Sequence, residues 1–166
     1  MDATPLLNKI AKAFADCRLE AVMVGNAAAA LHGAPVTTLD IDFMFHKTPV
    51  TLRKLKSVAD SLDAVIFKPY YPVSDLYRLG DITAGLQLDF MSRLHGVRSY
   101  ASLRSRAQRI EFGTSSIYVA SLSDVIKSKK AANREQDRAV IGLLEKVLHE
   151  QEEAKTTTRE REEEPR

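Results

Sequence analysis

The stretch Thr37-Thr38-Leu39-Asp40-Ile41-Asp42-Phe43-Met44-Phe45 decides how this chain is read. Side chains alternate across an extended strand, so Leu39, Ile41, Phe43 and Phe45 share one face and Asp40 and Asp42 the other. The first face can be buried. The second presents two carboxylates about 6–7 Å apart. At an effective dielectric near 20 such a pair repels by roughly 2–3 kcal/mol, and a divalent cation is the obvious counter-charge. Two other readings stand beside this one. The aspartates could line the solvent face of a half-exposed strand, although Asp is disfavoured in strands. They could also be the Asp-x-Asp of a glycosyltransferase, which usually belongs to a larger nucleotide-sugar domain.

Upstream lies a small-residue run, Val24-Gly25-Asn26-Ala-Ala-Ala-Ala-Leu31-His32-Gly33. Ala21 to Val24 reads as a short strand, Gly25-Asn26 as a turn, and Ala27 to His32 as a short helix that Gly33 ends and Pro35 keeps from resuming. Before it, Thr4-Pro5 opens a helix with Leu6, Leu7, Ile10, Phe14 and Cys17 at helical spacing. Downstream, Thr48-Pro49 starts an amphipathic helix carrying Val50, Leu52, Leu55, Val58 and Leu62. Residues 64–82 read as a strand pair with Pro69 and Pro72 in its turn. Leu86, Leu88 and Phe90 alternate with Gln87, Asp89 and Met91 as another half-buried strand. A helix is expected over Ser99 to Ala107, then a hairpin about Gly113 from Arg109–Phe112 and Ile117–Ala120. Ser121 to Ala132 forms a further helix with Asn133 as its left-handed end. The last helix starts near Glu135 and buries Ala139, Val140, Leu143, Leu144, Val147 and Leu148. The pattern is α+β, a small mixed β-sheet flanked by helices. One domain is expected over 1–152, and a charged, disordered tail over 153–166, where apolar residues almost vanish.

The net charge of +2 is too small by itself to point to nucleic acid. Between Phe90 and Ile110, however, there is no acid, and Arg93, Arg98, Arg104, Arg106 and Arg109 fall there with Tyr100. If those arginines face a cleft they could hold an RNA backbone; otherwise they form a solvated helix face. Cys17 is the only cysteine, which excludes an internal disulfide. With no charged lead before an apolar block, and no apolar run near the ~18 residues of a membrane span, a soluble cytoplasmic protein without membrane contact is expected.

Asp89 sits on the polar face of its strand, as the paired aspartates do. If the strands are neighbours, Asp40, Asp42 and Asp89 converge and could hold two magnesium ions about 3.5–4 Å apart. Gly25 and Asn26 precede a helix N-terminus whose free amides could cradle phosphate, or they form a plain strand-to-helix turn. Lys129, Arg134 and Asp137 straddle a helix corner. There they could contact phosphate and brace the corner, or form ordinary surface pairs.

Taken in order, Val24-Gly25-Asn26, Leu31-His32-Gly33, Thr38-Leu39-Asp40-Ile41-Asp42, Leu88-Asp89-Phe90 and Val119-Ala120-Ser121 followed by Lys129, Arg134 and Asp137 resemble a known pattern. It is that of the minimal nucleotidyltransferases of the DNA polymerase β superfamily, and most of all its AbiEii-like and related single-domain bacterial groups. The resemblance spans about residues 20–148. It implies a polymerase β-like palm fold and magnesium-dependent transfer of a nucleotidyl group from an NTP, with loss of pyrophosphate. Asp40 and Asp42 would bind both ions, and Asp89 would hold the catalytic ion and help deprotonate the acceptor. Gly25, Asn26, Thr38, Lys129 and Arg134 would contact the nucleotide. The acceptor implied is a hydroxyl of RNA (a transfer-RNA 3′ end among them), of protein or of a small molecule. A toxin of a toxin–antitoxin pair is one setting, with a homodimer or an antitoxin-like partner chain. The chain departs from its relatives at Asn26, where they usually carry Ser or Gly, and at Val36, where they often carry Arg. Those departures motivate an alternative: a catalytically weakened nucleotide-binding or protein-interaction module on the same fold.

Overall fold

A computed structural model describes residues 3–38, 40–67, 75–81, 83 and 85–163. In chain order the elements are α1 (Thr4–Cys17), β1 (Val22–Val24), α2 (Gly25–Leu31), β2 (Ile41–Met44), α3 (Pro49–Ser61), β3 (Val65–Phe67) and β4 (Leu76–Asp81). They continue with β5 (Leu86–Met91), α4 (Tyr100–Arg106), β6 (Gln108–Phe112), β7 (Ser115–Val119), α5 (Leu122–Ala132) and α6 (Glu135–Glu163). The strands form one seven-stranded mixed sheet in the order β3-β4-β5-β2-β1-β7-β6. The pairs β2–β5 and β1–β7 are parallel, and the remaining neighbours are antiparallel. This is the α+β mixed sheet that the alternation of short apolar strands and amphipathic helices implies.

The centre of the sheet is built on the apolar face of the Asp-x-Asp strand. Phe43 and Phe45 are fully buried, as are Leu88 and Phe90 on β5. Phe14 of α1 meets Phe43 edge-on with ring centroids 5.0 Å apart, and Phe43 stacks on Phe90 at 5.1 Å. Burying one such ring is worth about 1.5–3 kcal/mol. Alternation along β2 and β5 then puts Asp42 and Asp89 on the opposite face.

Thr48 opens α3 with a reciprocal cap: its hydroxyl accepts from the Thr51 amide (3.1 Å), and the Thr51 hydroxyl accepts from the Thr48 amide (2.7 Å). Thr48→Ala is expected to lower unfolding free energy by about 1 kcal/mol. In thermal denaturation that is a fall of about 2–4 °C for a chain of this size.

Four expectations change, the first being the buried stripe of α6, where Leu144 is buried, Val140, Val147 and Leu148 are partly buried, and Ala139 and Leu143 are exposed. Alternation puts Asp40 on the strand, but β2 begins at Ile41 and Asp40 lies in the bend before it. The Thr38 hydroxyl accepts from the Asp40 amide and donates to its carbonyl, so those groups bond locally instead of entering the ladder. Helix α2 starts at Gly25, not Ala27. The tail expected to be disordered from residue 153 continues α6 to Glu163. Its Glu, Lys, Arg and Ala residues are good helix formers, and extending an existing helix needs no new nucleus. The turn expected around Pro69 and Pro72 lies outside the described residues, while the strand pair it would join is present as β3 and β4. Among the described residues, no helix is long and apolar enough to cross a membrane.

Candidate active site

Strand β1 runs straight into α2, and the chain turns the corner at Gly25 with a left-handed φ of +67°. Val24 pairs with Asp42 across the antiparallel ladder, so the corner falls beside that carboxylate. A Cβ on Gly25 would stand 3.0 Å from Asp42 Oδ2. Glycine is therefore demanded twice, by the backbone angle and by the close approach. His32, at the far end of α2, donates from Nε2 to the Ala120 carbonyl (2.7 Å), which ties α2 to the start of α5.

Asp42 and Asp89 are direct neighbours across the parallel β2–β5 pair. Burial, with the nearby charges of Asp89 and Asp40, pushes the Asp42 carboxyl up to about 6; Lys129 and Arg134 pull it the other way. Among the described residues neither Asp40 nor Asp42 forms an ion pair. Asp89 differs. It is buried, and Arg78, directly opposite on β4, grips both its oxygens: Nε to Oδ1 at 2.8 Å and Nη2 to Oδ2 at 3.1 Å.

The α5–α6 corner turns at Asn133, in the left-handed region as expected (φ 50°). Beyond it Asp137 is wholly buried and accepts from Arg134 Nε (2.7 Å), Nη2 (3.2 Å) and backbone amide (3.2 Å). Lys129 Nζ lies 3.5 Å from its other side. Burial raises the Asp137 carboxyl, but the Arg134 hydrogen bonds and charge, with Lys129, outweigh it and leave the group below the ordinary range. Asp137 thus holds two cations in place.

Gly25, Asn26, Thr38, Asp40, Asp42, Lys129 and Arg134 all line one cavity of about 770 Å³. Of the expected site residues, Asp89 alone is not on its wall. Val36 packs, partly buried, against the core and does not line the cavity either. The Asn26 Oδ1 atom is buried there without a partner. The far wall is the loop after β5, with Arg93 and His95. Gly96 (φ +72°) seats that loop on α5: a Cβ would lie 2.8 Å from the Lys127 carbonyl oxygen and 3.0 Å from the Ala131 methyl. Gly96→Ala is expected to destabilise the fold by about 2 kcal/mol. Chemical denaturation checks it, and a loss under about 0.5 kcal/mol would show that the loop is not seated this way.

The arginines of 93–109 mostly serve the fold. Arg104 pairs with Glu20 (3.0 Å) and lies over the Tyr118 ring, 3.4 Å from its centroid. Arg106 grips buried Asp124 (2.8 and 3.1 Å), and Arg109 donates to the Ser116 hydroxyl (2.7 Å). Arg93 is the member on the cavity wall. Sequence reasoning missed Arg78 and Asp124. The signal for Arg78 was its position in the β4–β5 hairpin, equidistant with Asp89 from the turn near Thr83. For Asp124 it was the Ser-x-x-Asp spacing of a capping box.

The donor set fits a cation at Asp40 and Asp42. Both are unpaired carboxylates on the cavity wall, and burial, with the charges of Asp89 and Asp40, holds the Asp42 carboxyl above its ordinary range. Among the described residues, no three His, Cys, Asp or Glu side chains are already gathered to hold a metal.

No family model matches the sequence, and no curated protein matches it. Solved structures do match the fold. The antibiotic-resistance factor ANT(2'')-Ia, in complex with adenylyl-2''-tobramycin, superimposes with a TM-score of 0.59 at 16% identity over 95% of this chain and 97% of that one. Its solution structure gives 0.58 at 13% identity over 98% of both chains. TM1012 from Thermotoga maritima, assigned as a nucleotidyltransferase, gives 0.55 at 18% identity over 88% and 92%. At such identities the likeness establishes the fold, which is that of nucleotidyltransferases.

Proposed function

We propose that this chain is a divalent-metal-dependent nucleotidyltransferase that moves a nucleotidyl group from an NTP to an acceptor hydroxyl. One observation carries the reading: two unpaired carboxylates and every residue expected to contact the nucleotide line a single cavity whose volume suits a nucleotide. Asp40 and Asp42 would hold the ion, Mg²⁺ by the all-oxygen donor set. When bound, it would neutralise phosphate charge and favour the ionised form of the attacking hydroxyl.

The protein's own contribution is positioning. Gly25 leaves room for a phosphate beside Asp42. Lys129, held by Asp137, presents a fixed positive charge to the triphosphate, and Arg134 braces the corner that aims it. The acceptor oxygen bonds to the α-phosphorus, the bond to the β-phosphate oxygen breaks, pyrophosphate leaves, and the hydroxyl proton passes to solvent.

A small-molecule or protein hydroxyl suits the site better than an RNA backbone, because Arg104, Arg106 and Arg109 are committed to internal partners. ANT(2'')-Ia, seen with an adenylylated antibiotic, has the same fold. The clamp of Arg78 on Asp89 favours a second reading, a nucleotide-binding module with little or no turnover.

Incubation with each NTP, Mg²⁺ and a cell extract, followed by pyrophosphate release and mass spectrometry, separates the two. The expected result is pyrophosphate release with one preferred NTP and a product heavier by one nucleotidyl group. Calorimetric NTP binding without pyrophosphate would establish the second reading, and no binding of any NTP would end both.

A further inference from the structure

Asp89 and Asp42 sit side by side on parallel strands, about 4.8 Å apart in backbone spacing. A buried carboxylate next to a second one needs a positive partner. The sheet supplies it from β4, which flanks β5 on the edge opposite β2. Arg78 faces Asp89 across the antiparallel β4–β5 ladder, and its fork binds both carboxylate oxygens, while Gln87 Nε2 stands 3.4 Å from Oδ2. The guanidinium charge is permanent. The charges of Asp40 and Asp42, after the Asp89 hydrogen bond and charge, also favour it. Asp40 and Asp42 line the cavity, and Asp89 and Arg78 do not.

We propose that Arg78 is the resident cation of the carboxylate cluster, standing in for a second metal, so that the chain holds one divalent ion instead of two. The inference rests on the metal-dependent reading above. Beside Asp89 the guanidinium already supplies one positive charge, and Lys129 and Arg134 act on Asp42 from the other side, so a single divalent ion leaves no carboxylate of the three without a cation. A second divalent ion would have to approach Asp89 against the guanidinium and share oxygens that already accept two charge-assisted hydrogen bonds. Asp89 then contributes charge and shape to the site and is not a metal ligand.

Titration of the purified chain with Mn²⁺, followed by loss of the free-ion paramagnetic resonance signal, counts the ions without reference to activity. The wild-type chain is expected to bind one. Arg78→Met, which keeps the bulk of the side chain and removes its charge, is expected to bind two; Arg78→Lys, which keeps the charge, one. Two ions on the wild-type chain would overturn the proposal and leave the metal-dependent reading standing. None would remove both. A count of one on folded Arg78→Met would also overturn it, and should that variant not fold, the wild-type and Arg78→Lys counts decide.

Discussion

Asp42→Asn abolishes nucleotidyl transfer and makes the metal-free protein more stable at pH 8: that paired outcome is the sharpest expectation from the site. Asp42 titrates near pH 6 in the fold against an ordinary 3.8, first because it is buried and then because Asp89 and Asp40 face it. Below 3.8 the group is neutral in both folded and unfolded chains. As pH rises through 6 the fold must accept the charge, and the stability present at low pH is lost. The loss is on the order of 2 kcal/mol. Asparagine removes it, so the melting temperature at pH 8 should rise by about 4–8 °C, with the difference shrinking toward pH 5. Transfer should fall at least ~10³-fold, because the substitution removes a ligand of the ion that neutralises the phosphates. Thermal melts at the two pH values and an NTP turnover assay check both halves. Retained transfer would remove Asp42 from the site, and a less stable variant at pH 8 would contradict the unpaired charge.

Gly25→Ala is the second large effect, and it runs the other way on stability. The methyl group would require a left-handed backbone that costs about 1–2 kcal/mol for an L-residue. It would also stand 3.0 Å from Asp42 Oδ2, a contact that something must yield to. The two yielding partners are the carboxylate and the N-terminus of α2, and both belong to the proposed site. Misplacement of about 1 Å costs on the order of 10²-fold in rate. Turnover should therefore drop by about that factor, with Mn²⁺ affinity falling in parallel. An Ala variant with normal metal affinity and normal turnover would show that the Gly25–Asp42 contact is incidental.

Much of the fold was legible because periodicity and capping agreed locally. Thr48-Pro49 opened a helix, Asn133 closed one, and Leu86-Gln87-Leu88-Asp89-Phe90 alternated as a strand does. The expected carboxylate pair and nucleotide residues line one cavity, with Gly25 and Arg134 at corners between elements and Asp42 and Lys129 within a strand and a helix. What could not be read was partnership across strands. The stretch 64–82 read as a unit by itself, yet β4 pairs with β5 as well as β3, and that second pairing puts Arg78 on Asp89. The register that sets Arg78 opposite Asp89 becomes readable only once β4, β5 and the turn near Thr83 are taken as one hairpin. The arginines of 93–109 misled for a similar reason. Their spacing suggested an exposed basic row, while their partners Glu20, Ser116 and Asp124 come from elsewhere in the chain. Asp40 lost its strand because a threonine two residues back offered its backbone a closer partner.

The Arg78–Asp89 pair also constrains how the sequence can drift. The arginine side chain is 45% exposed and the aspartate 8%. Losing Arg78 first leaves an uncompensated carboxylate in the sheet, at about 3–5 kcal/mol. Losing Asp89 first leaves an arginine that can turn to water. Of the two single-step routes away from the pair, the one through loss of the acid is open and the other is nearly closed. Descendants of this chain that part with the third carboxylate should therefore still carry the arginine that once faced it.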